Sequence, residues 1–411
     1  MTRRPLTLRA RHVLPIAAPP LDNGWVRIER GRIAALGRGI PPSGALDLGD
    51  AIILPGFVNA HTHLEFSELR EPLDPTGGLP AWIRRIVALR RRRPLNHDAD
   101  AVKAVHLGLQ ESAAAGVTAI GEIATAAPLD AYAGSGPRLR VFREALGVSS
   151  IAAATALSNS IRDLDWLQSR SIPVGISPHA PYSVAAPLGS RLLAEARRRR
   201  LPAAIHLAES LEEEDLLAHV TGPFRDLLED LGVWPAGEPP RFVQTADWIS
   251  QLARGPRGIV VHGTHLGRNP TALARLARHR GRLAVAICPR TTLALSGGLP
   301  PLGLFREAGL RVAIGTDSRA SNPDLSVLAE CRTLVNSGLC TAAEALTMAT
   351  LHGAWALMLE RRCGSLLPGR AADLAILRPA SPHSDPFTAA LAPDTRVAAT
   401  LRAGRVIAGR L

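Results

Sequence analysis

Short apolar runs alternate with longer amphipathic ones through most of the chain. The short runs are "ILPGFVNAHTH", "GVTAIGEIA", "RLRVFREALGV", "IPVGISPHA", "LPAAIHLAES", "GIVVHGTHL", "LAVAICPR" and "LRVAIGTDS". Apolar, β-branched runs of this length, bounded by Gly, Pro or polar clusters, predict buried strands. Between them apolar positions recur at helical spacing. They predict helices over Leu79–Arg93, Ala99–Ala115, Ile151–Ser169, Ala186–Arg200, Pro270–Arg280 and Pro301–Ala308. A helical pair, Leu325–Ser337 and Thr341–Leu359, follows the eighth strand. Eight β/α alternations predict an α/β fold, a (β/α)8 TIM barrel over residues 54–361. The two ends pattern differently: "GWVRIERGRIAALG", "GRAADLAIL" and "VAATLRAGRVIAGRL" are short strands around Gly turns. Residues 1–53 and 362–411 are therefore expected to form one small β-sandwich domain built from both chain ends. The least regular stretch, Gly222–Gly258, reads as an extended loop after the fifth barrel strand.

Composition narrows the partners. The 411 residues are 46% apolar, enough for a large core, yet no apolar stretch reaches the roughly 18–20 residues of a membrane span. The start is basic (Met1–Arg4), but "HVLPIAAPPLDN" is broken by prolines. The chain reads as cytoplasmic, with a twin-arginine export signal as the alternative. Net charge is +12, with Lys103 the only lysine. Such one-sided use of arginine looks like compositional drift. The runs Arg90–Arg93 and Arg197–Arg200 fall at helix ends, where cations suit the dipole. Neither nucleic acid nor membrane is expected as a partner; a small-molecule heterocycle is, and a homodimer is common in such barrels. Cys288, Cys331, Cys340 and Cys363 have no metal-finger spacing and read as buried apolar residues of a reducing compartment.

Polar residues able to do chemistry collect at the expected strand ends. Strand 1 ends in His61-Thr62-His63, strand 4 in His179, strand 5 in His206 with Glu209, strand 6 in His262 with His265, and strand 8 in Asp317. The C-terminal strand ends of such a barrel carry the active site. Alternate residues of a strand share a side, so His61 and His63 can grip one ion. Two histidines at a wet strand end are also common without one. A third imidazole from His206 and a carboxylate from Asp317 complete a set that suits Zn2+ or Fe2+ with room for water.

"PGFVNAHTHLE", "HLAES", "VHGTHL" and "GTDS", in this order and followed by "GSLLPGRAADLAIL", resemble the metal-dependent amidohydrolase superfamily. The branch they resemble is that of cyclic-amidine deaminases and chlorohydrolases. That resemblance implies one divalent metal, zinc ahead of iron, on His61, His63, His206 and Asp317. It also implies that Glu209 protonates the substrate's ring nitrogen, that His262 polarises the group under attack, and that Asp317 takes the water's proton. His179 would contact substrate or anchor a loop at the rim. Binuclear relatives carry a carboxylated lysine on strand 4; "VGISPHA" has none. Glu122 and Glu144 are expected to orient ligands or bind structure. The implied activity is hydrolytic deamination of a purine-like ring. Dechlorination or another C–N hydrolysis is the enzymatic alternative, and a non-catalytic barrel scaffold the alternative of another class. The HxE/PCxxC pattern of nucleic-acid deaminases is absent.

The segment "HTHLEFSEL", followed by a Trp-containing helix rich in Arg, is similar to the aminodeoxyfutalosine deaminases of menaquinone biosynthesis. That likeness implies that Phe66 or Trp82 packs on the purine or an aromatic tail. Ser67 or Glu65 would bind the ribose, and Arg84, Arg290 or Arg319 a carboxylate. The alternative is that Phe66 and Trp82 anchor a loop and that the arginines are surface residues. Pro289-Arg290-Thr291-Thr292 and Gly263-Thr264 depart from the branch's usual residues on the substrate side.

Overall fold

The computed structural model describes residues 5–92, 98–234, 242–381 and 383–411. The basic start Met1–Arg4, the expected helix end at Arg93, and His97 lie outside them. Eight parallel strands follow one another in sequence order around the sheet. They are Phe57–Thr62, Val117–Ala124, Arg138–Ala145, Val174–Pro178, Ala203–Leu207, Gly258–His262, Leu283–Ile287 and Arg311–Ile314. The last meets the first through a parallel bridge between Thr62 and Asp317, which closes the barrel at its C-terminal end. Thr316 and Asp317 both donate their N–H to the His61 carbonyl at 3.1 Å.

The barrel interior is filled largely by small side chains. Val58, Ala60, Ala119, Ile123, Phe142, Ala204, Ile259, Val261, Ala284, Ala286 and Ala313 form one cluster, closed from below by Leu357. Phe142 needs the space left by Gly175: a Cβ there would sit 2.4 Å from its ring. The other face of each strand packs on the surrounding helices. This double burial explains why the strands read as continuous apolar runs.

The chain ends form a second sheet of eight strands, seven hydrogen-bonded in one continuous order and the short strand Leu46–Asp47 pairing with Leu6–Val13 off that path. It curls over a core that includes Leu8, Val13, Val26, Ile33, Ile53, Leu374, Ile376 and Leu401, and a bridge from Arg32 to Ala371 ties its far edge back. The strand Ile52–Pro55 pairs with Leu374–Leu377 of that sheet, so the sheet reaches past residue 53. Gly222–Gly258 is more ordered than its prolines suggest. It contains the helices Pro223–Asp230 and Thr245–Leu252, with Trp248 buried in the core; residues 235–241 lie outside the described residues. Among the described residues no helix is long and apolar enough to cross a membrane.

Candidate active site

His61, His63 and His206 bring one ring nitrogen each within 4.8 Å of one another at the barrel mouth. Asp317 Oδ1 lies 3.6 Å from His61 Nε2 and 3.7 Å from His63 Nε2. All four residues are buried. Local backbone devices aim them. Val58 and Ala60 already face the barrel interior, so strict alternation would turn His61 and His63 outward. The pairing register shifts between Asn59 and Thr62, which re-aims the side chains at the strand end. Asp317 (φ 54°) and His262 (φ 64°) sit in the left-handed region, a conformation that side-chain-bearing residues hold only when their surroundings impose it. Thr62 does so at Asp317, donating its hydroxyl to the Asp317 carbonyl at 2.6 Å. Ser321 Oγ donates to Asp317 Oδ2 at 2.8 Å, leaving Oδ1 toward the histidines.

His206 Nδ1 lies 2.9 Å from the His179 carbonyl, which can only accept, so Nδ1 carries the proton and Nε2 is left with a free lone pair. Burial, then the neighbouring imidazoles, pushes the His63 and His206 pKa well down, so both rings stay neutral. Burial would raise Asp317; facing His61, then the charges of His63 and His262, hold it low instead. Both ring nitrogens of His61 and Nδ1 of His63 are buried with no hydrogen-bond partner among the described residues. Orphaned donors and acceptors of this kind are costly unless something fills the site. Three imidazoles and a carboxylate fit a divalent metal.

On the strand 5 and 6 side stand Glu209 and His262, with Oε1 and Nε2 3.3 Å apart. Glu213 fixes this corner, its carboxylate accepting from the N–H of Ala208 at 2.9 Å and of Glu209 at 3.1 Å. His265 N–H donates to the Ala208 carbonyl, stitching the two strand ends together. Burial, then the charges of Asp317 and Glu213, raises the Glu209 pKa well above the carboxylate range. Burial lowers that of His262. Burial thus favours the proton-bearing form of Glu209 and the uncharged form of His262.

His179 is partly buried at the rim, its Nδ1 2.6 Å from Ser183 Oγ. Burial, then Arg90, lowers its pKa to about 3. Glu144 lies 4.0 Å from His206 Nδ1 and accepts from Thr125 at 2.5 Å, beside the ligand set. Glu122 accepts from Leu64 N–H and Tyr132 O–H, which anchors the first loop. Lys103 is on the outer helix Asp98–Ala114, 3.9 Å from Glu68.

The "LEFS" segment sits differently from expectation. Ser67 is buried and points at the outer helix: a Cβ on Gly108 would lie 2.3 Å from its hydroxyl. Glu65 is buried, ion-paired with Arg90, and accepts from Ala126 N–H. Neither offers itself to a ribose. Phe66 is 6.4 Å from His63 between ring centres. Trp82 packs on Phe66 and donates its N–H to the Ala320 carbonyl at 3.2 Å. Two of the arginines expected to meet a carboxylate have partners of their own within the protein. Arg290 is consumed by Asp324 and Glu330, and Arg319 by the carbonyls of Leu69 and Arg70. Both brace the loops after strands 1, 7 and 8. Arg84 pairs with Asp230. The missed residues are Glu213 and Arg90, which no motif marked. A groove of about 1090 Å3 exists elsewhere, between the helix Asp98–Ala114 and the C-terminal hairpin, and is lined by none of these residues.

Histidines and a carboxylate converging at the strand ends of an eight-stranded barrel define a hydrolase built around a metal centre. The chain belongs to the Amidohydrolase family, which it matches over residues 52–407. It is a hydrolase of carbon–nitrogen bonds. It is 30% identical over 395 residues to the 5-methylthioadenosine/S-adenosylhomocysteine deaminase of Moorella thermoacetica, covering 91% of this chain and 86% of that one. Helicobacter pylori aminofutalosine deaminase in complex with methylthio-coformycin shares the fold with TM-score 0.85 at 24% identity, over 98% of this chain and 100% of that one. A Xanthomonas campestris adenosine deaminase with bound zinc does so with TM-score 0.75 at 23% identity, over 98% and 93%.

Proposed function

We propose that the chain is a hydrolytic deaminase of adenine nucleosides, and that 6-amino-6-deoxyfutalosine, on the route to menaquinone, is its substrate. The observation that carries the deaminase reading is Glu209 against His262 beside the histidine cluster. Adding water to an amino-bearing ring carbon puts charge on the adjacent ring nitrogen unless that nitrogen is protonated. An amide hydrolase has no such need. Glu209, kept neutral by burial, is the acid for that step.

His61, His63, His206 and Asp317 are suited to hold one divalent metal, zinc ahead of iron, which when bound makes water acidic enough to supply hydroxide near neutral pH. Asp317 accepts the proton of the attacking water and returns it to the departing amine. Glu209 gives its proton to the ring nitrogen as the carbon becomes tetrahedral, and takes back the remaining proton of the added oxygen as the C–N bond breaks and the carbonyl forms. His262 donates toward the oxygen being added and stabilises it. Phe66 offers apolar surface next to His63, with Trp82 packed behind it, and His179 at the rim is the candidate contact for the sugar. The similarity to a methylthioadenosine/S-adenosylhomocysteine deaminase supports an adenine nucleoside.

The test is ammonia release by the purified protein from adenosine, methylthioadenosine, S-adenosylhomocysteine and aminodeoxyfutalosine, with a chlorotriazine as control. Ammonia from the nucleosides, fastest from aminodeoxyfutalosine, is expected. Chloride from the triazine and no ammonia from any nucleoside would overturn the proposal in favour of a chlorohydrolase.

A further inference from the structure

The residues Pro289-Arg290-Thr291-Thr292 open the helix Pro289–Ser296 directly after strand 7. Their polar groups turn to the loop that follows strand 8. Arg290 donates its backbone N–H to Glu330 Oε2 at 2.9 Å and its Nε–H to Glu330 Oε1 at 2.8 Å. Glu330 is fully buried and also accepts from Asn322 Nδ2 at 2.6 Å, which donates as well to the Thr316 carbonyl at 2.8 Å. One carboxylate therefore ties the start of this helix to the segment Thr316–Asn322, which carries Asp317.

A second tie runs through side-chain hydroxyls. Thr291 is 1% exposed, and its hydroxyl lies 2.9 Å from Ser321 Oγ, its one hydrogen-bond partner among the described residues. Ser321 Oγ lies 2.8 Å from Asp317 Oδ2. The direction of this chain follows from counting protons. A carboxylate that serves as a ligand carries none, so Ser321 gives its only proton to Asp317. The Ser321 oxygen is then left to accept, and Thr291 has to be the donor.

This order has two physical effects. A hydroxyl that accepts a hydrogen bond donates a stronger one, so Thr291 polarises Ser321 toward Asp317. It also holds Ser321 Oγ in place. The Ser318 carbonyl, 3.3 Å from that oxygen, is a competing acceptor, and a serine released by Thr291 is free to turn toward it. Asp317 has need of such support, because its backbone is left-handed and only Oδ1 is turned to His61 and His63.

We infer that Thr291 is a positioning residue for the metal centre: acting through Ser321, it fixes the Asp317 carboxylate so that Oδ1 faces the histidines. This rests on the ligand set proposed above.

The experiment follows release of Zn2+ from the zinc-loaded enzyme to a chromogenic chelator, with thermal unfolding of the metal-free protein alongside. Thr291→Val keeps the shape of the side chain and removes its proton donor. It should release zinc about 3- to 10-fold faster than the unmodified enzyme, and Thr291→Ser should stay within about twofold of it. In a Ser321→Ala background Thr291→Val should add less than about twofold, because the group it acts through is gone. Thr291→Ala serves in the same two backgrounds if Thr291→Val fails to fold. A role confined to packing would lower the unfolding temperature of the metal-free protein and act alike in both backgrounds. Equal factors with and without Ser321, or zinc held normally by Thr291→Val while Asp317→Ala loses it, would overturn the assignment alone. Stoichiometric metal in Asp317→Ala would sink the ligand set, and this assignment with it.

Discussion

Nε2 of His262 stands 3.3 Å from Oε1 of Glu209, across the ends of two adjacent parallel strands. Neither residue belongs to the metal-ligand set proposed above. Replacing Glu209 by Gln keeps its shape and removes its acid function. The Glu209→Gln enzyme is expected to lose about 10²- to 10⁴-fold in kcat while retaining full metal content by elemental analysis. Loss of metal along with activity would mean that Glu209 is part of the binding set.

Most of the barrel was legible because most of its strands are buried on both faces and read as apolar runs. The aim of the site residues was legible only in part. His206 follows the simple alternation that places Ala204 inward, whereas His61 and His63 depend on a register shift that no residue type announces. His262 needs a left-handed backbone just after Val261 has faced the interior. The partners of Arg290 and Arg319 were not legible, because an arginine in a loop looks the same in sequence whether its partner is a ligand, a carboxylate or a carbonyl. Glu213 was invisible for the same reason, since its partners are backbone N–H groups. The helices within Gly222–Gly258 were hidden by the proline that opens Pro223–Asp230, a residue tolerated in a first helical turn.

Asp317 Oδ1 faces two imidazoles, and Ser321 holds its other oxygen. Asp317→Ala leaves the three histidines without their carboxylate. It should lower metal content well below one ion per chain and abolish turnover, whereas Ser321→Ala should weaken metal retention about 10- to 100-fold. Chelation of the unmodified enzyme should abolish turnover, and added Zn2+ or Fe2+ restore it. Because His63 and His206 resist protonation, metal should be retained as pH falls through the ordinary histidine range. Stoichiometric metal in Asp317→Ala would refute this ligand set.

Ser67 packs against Gly108 of an outer helix and does not reach the mouth. Ser67→Ala should therefore leave kcat and KM for any nucleoside within about twofold, with stability changed by less than about 1 kcal/mol. A KM raised tenfold or more, with kcat unchanged, would show that the hydroxyl binds substrate after all.

Glu213 is fully buried, and its two oxygens accept the N–H groups of Ala208 and Glu209. Burial outweighs those hydrogen bonds and pushes its pKa from 4.5 up to about 8. The folded chain therefore holds this proton more tightly than the unfolded chain. The resulting stability is complete below about pH 4.5 and drains away as pH rises through about 8, at up to about 1.4 kcal/mol per pH unit in that window. Thermal unfolding of the wild type should show this decline from about pH 5 to about pH 9. Glu213→Gln, which fills the same space and still accepts one N–H, should lack that slope and gain relative stability at alkaline pH. It should also lose activity at every pH, because the Ala208–Glu209 backbone that positions the acid has lost one of its two anchors. Parallel stability curves for the two proteins would show that Glu213 titrates alike in the folded and unfolded chains.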